Sequence, residues 1–90
     1  MPRAERTFVI VNTLGLHARA AAQLVQAANR FRSEIHVEKD GSTVNGKSIM
    51  GVLTLAAAKG STITVCCDGD DAEHAMAALA KVIENGFGET

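Results

Sequence analysis

Two short stretches carry side chains that can do chemistry: Asn12-Thr13-Leu14-Gly15-Leu16-His17-Ala18-Arg19, and Asn45-Gly46-Lys47-Ser48. In the first, a glycine permits a sharp turn, an imidazole stands where a helix begins, and a guanidinium follows two residues later. The N–H groups of Ala18 and Arg19 in such a first turn have no intrahelical acceptor and face outward beside the ring. Together with the helix dipole they favour an anion by about 0.3–1 kcal/mol, and by about 2 kcal/mol where the site is partly buried. A neutral imidazole has a free nitrogen lone pair and is a competent nucleophile. A phosphoryl group placed on it would bring about two negative charges, matched by the N–H donors and by Arg19. The same stretch also admits a plainer reading, in which His17 only caps the helix.

The acids and bases around His17 narrow the chemistry. No Asp or Glu occurs between Glu5 and Glu34, so a local nucleophile–base–acid set for hydrolysis is missing. Leu14 and Leu16 bracket a site without acid partners, as an electropositive pocket requires. In the second stretch, Ser48 is placed as the N-cap of a short helix from Ile49 to about Ala56. A phosphate on Ser48 would sit at a helix N-terminus, where it is tolerated, and would act on docking by repelling acidic partners. Ile49, Val52 and Leu55 or Ala56 can face the core, which leaves Met50 and Leu53 on another side as an adaptable apolar patch. Core packing is the competing reading for that pair.

The elements that must position these residues follow from periodicity. Thr7–Val11 is a β-branched and aromatic strand ended by Asn12 and Gly15. From Ala18 to about Phe31, Ala21, Leu24, Val25, Ala28 and Phe31 recur at spacings of three and four and form one buried helical stripe. Glu34–Lys39 alternates, with Ile35 and Val37 on one face; Asp40-Gly41 is a two-residue hairpin turn, and Ser42–Val44 pairs back. Thr62–Cys67 alternates as a fourth strand. A last helix from Ala72 to about Asn85 carries its stripe on Ala72, Ala75, Met76, Leu79, Val82 and Ile83. Residues 86–90 read as a loose tail after Gly86. The order βαββαβα predicts an α+β open-faced sandwich: a four-stranded antiparallel sheet with three helices on one face, in a single domain over residues 1–90.

Composition excludes several other classes. Ninety residues suffice for one core. With 3% aromatics and no Trp or Tyr, that core is aliphatic. A net charge of −1, three Phe and no GxxG loop argue against a nucleic-acid module, the chief alternative among small α+β sheets. No apolar run approaches the roughly 18 residues of a membrane span, and Phe8–Val11 is too short for a signal-peptide core. Adjacent Cys66 and Cys67 read as reduced thiols of a cytoplasmic protein. His36 and His74, with the two cysteines, lack metal-ligand spacing, so no metal and no cofactor is expected.

Gly15-Leu16-His17-Ala18-Arg19 resembles the active-site signature of the histidine-containing phosphocarrier (HPr) family of the phosphoenolpyruvate-dependent sugar phosphotransferase system. Asn45-Gly46-Lys47-Ser48-Ile49-Met50-Gly51-Val52 is similar to the second signature of that family, around its regulatory serine. Both motifs occur in the family's order and spacing, and the resemblance covers essentially the whole chain. It implies that His17 takes a phosphoryl group on Nδ1 from phosphorylated enzyme I and passes it to an enzyme IIA domain, with Arg19 as the phosphate-side cation. It further implies that Ser48 is a target of HPr kinase/phosphorylase, and that Lys47, Ile49, Met50 and Leu53 dock partners.

The protein would then be a phosphoryl-transfer intermediate rather than a stand-alone turnover enzyme, and a monomer without nucleic-acid or membrane partners. A regulatory relative acting by protein–protein binding, in nitrogen-type signalling or catabolite control, is the second reading. Its weakness is that such relatives lose the histidine. Position 20 departs from the pattern: it is Ala where the family usually has proline after the arginine. Gln26 and Asn29 stand where many members have lysine.

Overall fold

The computed structural model describes residues 2–89. Four strands, β1 (Arg3–Val9), β2 (Glu34–Lys39), β3 (Ser42–Asn45) and β4 (Thr62–Asp68), form one sheet in the order β1-β4-β2-β3. Every neighbouring pair is antiparallel. Helices α1 (Ala18–Ala28), α2 (Ile49–Thr54) and α3 (Ala72–Glu84) cover one face, which gives the expected open-faced sandwich.

Alternation sets the two faces of the sheet. Phe8, Ile35, Val37, Ile63, Val65 and Cys67 point into the core, where Ala20, Ala21, Leu24 and Val25 of α1 and Ala75, Met76, Leu79 and Ile83 of α3 meet them. Glu5, Cys66 and His36 are cross-strand neighbours and line the open face. The Asp40-Gly41 turn has φ of 52° and 85°, the left-handed pair that a tight hairpin between twisted strands requires. One such turn fixes the β2–β3 register at Lys39 opposite Ser42.

Three expectations are corrected. Strand β1 begins at Arg3 and ends at Val9, because Glu5 and Thr7 occupy the open face and tolerate charge or hydroxyl there. Ile10, beyond the ladder, is still held by bonds from its N–H to the Ser61 carbonyl and from the Gly60 N–H to its own carbonyl, both 2.8 Å. Helix α1 stops at Ala28, so Phe31 packs half-buried against the core from a turn rather than from the helix.

The third correction concerns the tail. Gly86–Gly88 forms a 3-10 turn with Phe87 buried at 2% exposure, and Glu89 returns to the loop before α1. Positive φ at Gly86 and Gly88 folds the chain back on itself, and burying an aromatic ring offsets the ordering entropy. The remainder of the expected loose segment, Thr90, lies outside the described residues. No helix among the described residues is long and apolar enough to cross a membrane.

Candidate functional site

His17 is the N-cap of α1, with extended backbone at φ −76° and ψ 179°. Its side chain makes no capping hydrogen bond, so the ring is free for something other than closing the helix. The first bond of the helix runs from the Ala21 N–H to the His17 carbonyl at 2.8 Å. The N–H groups of Ala18, Arg19 and Ala20 therefore precede the intrahelical ladder and lack acceptors within it. No acid lies in the first turn. The Arg19 side chain is exposed and enters none of the ion pairs among the described residues, which leaves its guanidinium available to an anion.

The turn that delivers His17 is locked from two sides. Gly15 has φ of +65°, and its N–H donates to the Asn12 carbonyl at 3.2 Å. A Cβ at Gly15 would stand 2.3 Å from the Ala57 carbonyl oxygen, so only glycine fits. The Leu16 N–H donates to that same carbonyl at 2.8 Å, and the Leu16 side chain is buried. The segment following α2 is thus part of the frame of the histidine. Ala20 is fully buried, its methyl group contributing to the core under α1.

The His17 Nδ1 atom lies 3.2 Å from the Gly15 carbonyl oxygen. A carbonyl only accepts, so this contact is a hydrogen bond in the Nδ1–H tautomer, with the lone pair then on Nε2. Attack through Nδ1 requires the other tautomer, and in that form the contact is lost.

The electropositive surroundings expected from the local sequence need amending. Glu89 comes to the loop from the far end of the chain. Its Oε2 accepts from Asn12 Nδ2 at 3.0 Å, and its Oε1 accepts from the Leu14 N–H at 3.2 Å. The Asn12 amide chiefly, and the Leu14 and Thr13 N–H groups after it, hold the Glu89 carboxyl below the usual glutamate range, with a smaller pull from His17. Asn12 Nδ2 also donates to the Gly15 carbonyl at 2.7 Å. Reading the sequence locally places Asn12 only as the end of the strand and misses Glu89. The only signal for Glu89 was the lone Phe87 between two glycines, an aromatic residue ill-suited to a free tail.

Ser48 is the N-cap of α2, its Oγ accepting from the Gly51 N–H at 3.1 Å. Of the expected docking residues, Met50 is 73% exposed and Leu53 half-buried against the core. Ile49, placed in the core by its spacing, is instead 42% exposed, while Val52 and Leu55 take the buried positions. Lys47 is otherwise engaged, its ammonium donating to the Phe31 carbonyl at 2.8 Å just beyond α1. The structure brings α2 against α1. His36 is exposed on the open sheet face and His74 is exposed on α3, and no group of metal-ligating side chains assembles among the described residues.

Both the sequence and the fold are similar to those of known proteins. The family model described as "PTS HPr component phosphorylation site" matches residues 4–85. A phosphocarrier protein HPr of Cupriavidus necator is 51% identical over 85 residues, covering 94% of this chain and 96% of the relative. An HPr-like protein Crh of Halalkalibacterium halodurans is 59% identical over 70 residues, 78% of this chain and 83% of the relative. The crystal structure of an HPr from Thermoanaerobacter tengcongensis superposes with a TM-score of 0.93 at 48% identity, covering 97% of this chain and 98% of the other.

Proposed function

This chain belongs to the HPr family of phosphotransferase-system phosphocarriers, and we propose from that premise that His17 is the residue that carries the phosphoryl group. The observation that supports this most is the N-cap His17 ring, which makes no side-chain capping bond, beside first-turn N–H groups that precede the intrahelical ladder and an exposed Arg19 that enters no ion pair among the described residues. Phosphorylated enzyme I is the donor in this reading, and an enzyme IIA domain the acceptor.

The transfer balances without any cofactor. With its proton on Nε2, the ring presents the Nδ1 lone pair to the donor's phosphorus. The N–P bond forms as the donor's bond to phosphorus breaks, and the leaving atom keeps that electron pair. The transferred group brings about two negative charges to Nδ1, which the first-turn N–H groups and the Arg19 guanidinium offset. Discharge to the next protein is the same step in reverse. Because the offset is spread over backbone donors and one exposed cation, the phosphoryl group is held without becoming inert.

Met50, Ile49 and Leu53 form the apolar side of the partner surface, with Ser48 at its edge as a kinase-addressable switch; a phosphate there would repel acidic partner surfaces. Lys47 contributes mainly by fixing the loop, given its bond to the Phe31 carbonyl. We take the acting unit to be a monomer, since the core closes within one chain, and its compartment to be the cytoplasm, where the two free cysteines stay reduced. The test is a two-step relay. Protein charged by phosphoenolpyruvate and enzyme I should lose its label when a purified enzyme IIA domain is added, with the label appearing on that domain. A protein that charges only on serine, from ATP and a kinase, would instead support the regulatory reading suggested by the Crh-like relative.

A further inference from the structure

A groove of about 630 Å³ runs between α1 and α3, and none of the residues lining it belongs to α2 or to the His17 loop. Its floor is built from short apolar side chains: Ala27 of α1, which is buried, and Ala78 and Val82 of α3, which are half-buried. Arg30 and Lys81 line it as well, both exposed and in none of the ion pairs among the described residues. Gln23 and Asn85 add two carboxamides. No Asp or Glu lines the groove among the described residues. We propose that this groove docks an acidic, extended segment of a partner protein.

Charge selects the sign of the occupant. The chain as a whole carries a net charge of −1, yet this groove gathers two cations and no acid, so its local field runs against that of the molecule. The carboxamides select its class. A phosphate or a small carboxylate offers acceptors only, and would leave the oxygens of Gln23 and Asn85 without donors. A peptide backbone both donates and accepts, as a carboxamide does, so it matches the pair on both counts.

Size sets the length of the segment. Gln23, Ala27 and Arg30 recur at spacings of four and three and so share one strip along α1. From Gln23 to Arg30 that strip is about 10 Å long at 1.5 Å per residue, which three extended residues at about 3.3 Å each would cover. The alanine floor lets a backbone come close, and acids two positions apart fall on one side of an extended chain, where Arg30 and Lys81 meet them. Because the lining takes nothing from α2 or the His17 loop, a segment this short leaves His17, Ser48 and Met50 uncovered.

The experiment titrates the nitrogen-labelled, uncharged chain by NMR with the peptide acetyl-Ala-Glu-Ala-Glu-Ala-amide. The same peptide with Gln in place of Glu, and citrate, serve as comparisons. The acidic peptide should give saturable shifts at the Ala27, Ala78 and Lys81 amides and at the side-chain amides of Gln23 and Asn85, with affinity falling as salt is raised. Arg30→Gln and Lys81→Gln alter exposed side chains and should keep the spectrum of the native fold away from the groove. Each should weaken binding by about two- to fivefold, the size of an exposed charge pair. Absence of saturable shifts overturns the proposal, as does a shift pattern centred on Ala18–Ala20, which would mean capture at the first turn of α1. Equal binding of the glutamine peptide, or unchanged affinity in both variants, overturns the charge argument and the proposal with it. Citrate binding in the groove as tightly as the acidic peptide would make it a small-anion pocket instead.

Discussion

Gly15 and Ala57 meet so closely that the first has no room for a side chain: a Cβ on Gly15 would lie 2.3 Å from the Ala57 carbonyl oxygen. That oxygen already accepts the Leu16 N–H at 2.8 Å. Two segments about forty residues apart in sequence thereby share one joint, and His17 stands on it.

Gly15→Ala should therefore be damaging twice over. A left-handed backbone costs a non-glycine residue roughly 1–3 kcal/mol, and the collision with Ala57 adds to that. Urea unfolding should show the midpoint falling by the corresponding amount, and charging of His17 should slow even where the protein remains folded. Unchanged stability would mean that the joint yields and does not position the ring.

Ser48 separates capping from charge. Ser48→Ala removes the bond from the Gly51 N–H and should cost about 0.5–2 kcal/mol, as loss of an N-cap does. Ser48→Asp keeps an oxygen acceptor at that position and suits the positive helix end, so its stability should stay near wild type while charging by enzyme I slows. If both variants charge at the wild-type rate, the patch around Met50 is not the docking surface.

Stability at low pH reports on Asp71. Its carboxyl is held down at about 2, first by the Ser33 hydroxyl and then by the Arg32 N–H. A carboxylate depressed on folding stabilises the protein above its ordinary value of 3.8, and that contribution disappears as the pH falls toward 2. Wild type should lose stability across that window. Asp71→Asn should be less stable at neutral pH, show a shallower decline, and approach wild type near the bottom of the range.

The two cysteines should react unequally. Burial first, and the neighbouring Cys66 after it, push the Cys67 thiol up to about 11, whereas Cys66 is half-buried on the open face of the sheet. Iodoacetamide at mildly alkaline pH should label one thiol per native chain, at Cys66, and both after unfolding. Equal labelling of the native protein would contradict the assignment of the sheet's inner and outer faces.

Those faces were legible before the structure, because alternation at Ile35/Val37 and at Ile63/Val65/Cys67 depends only on the two-residue period of a strand. The α1 stripe through Ala21, Leu24, Val25 and Ala28 was equally legible, as were His17, Arg19 and Ser48 at their helix starts. What escaped was decided by tertiary contact. Gly86 and Gly88 read locally as loosening, yet their positive φ values tuck Phe87 into the core. Glu89 lies 72 residues from His17 in sequence, so no local rule connects the two. Ile49 looked like a core residue because its spacing to Val52 is helical, but the buried side of α2 runs through Val52 and Leu55 and leaves the first-turn Ile49 exposed.

Everything proposed for the relay depends on the phosphoryl group residing on His17. The most direct measurement is the site and bond type of the adduct formed with phosphoenolpyruvate and enzyme I, by mass spectrometric mapping together with nitrogen NMR of the imidazole. One phosphoryl group per chain should be found on His17 Nδ1, labile in acid and stable in base, and absent from His17→Ala. An acid-stable adduct, one that maps to Ser48, or one that survives His17→Ala would contradict it.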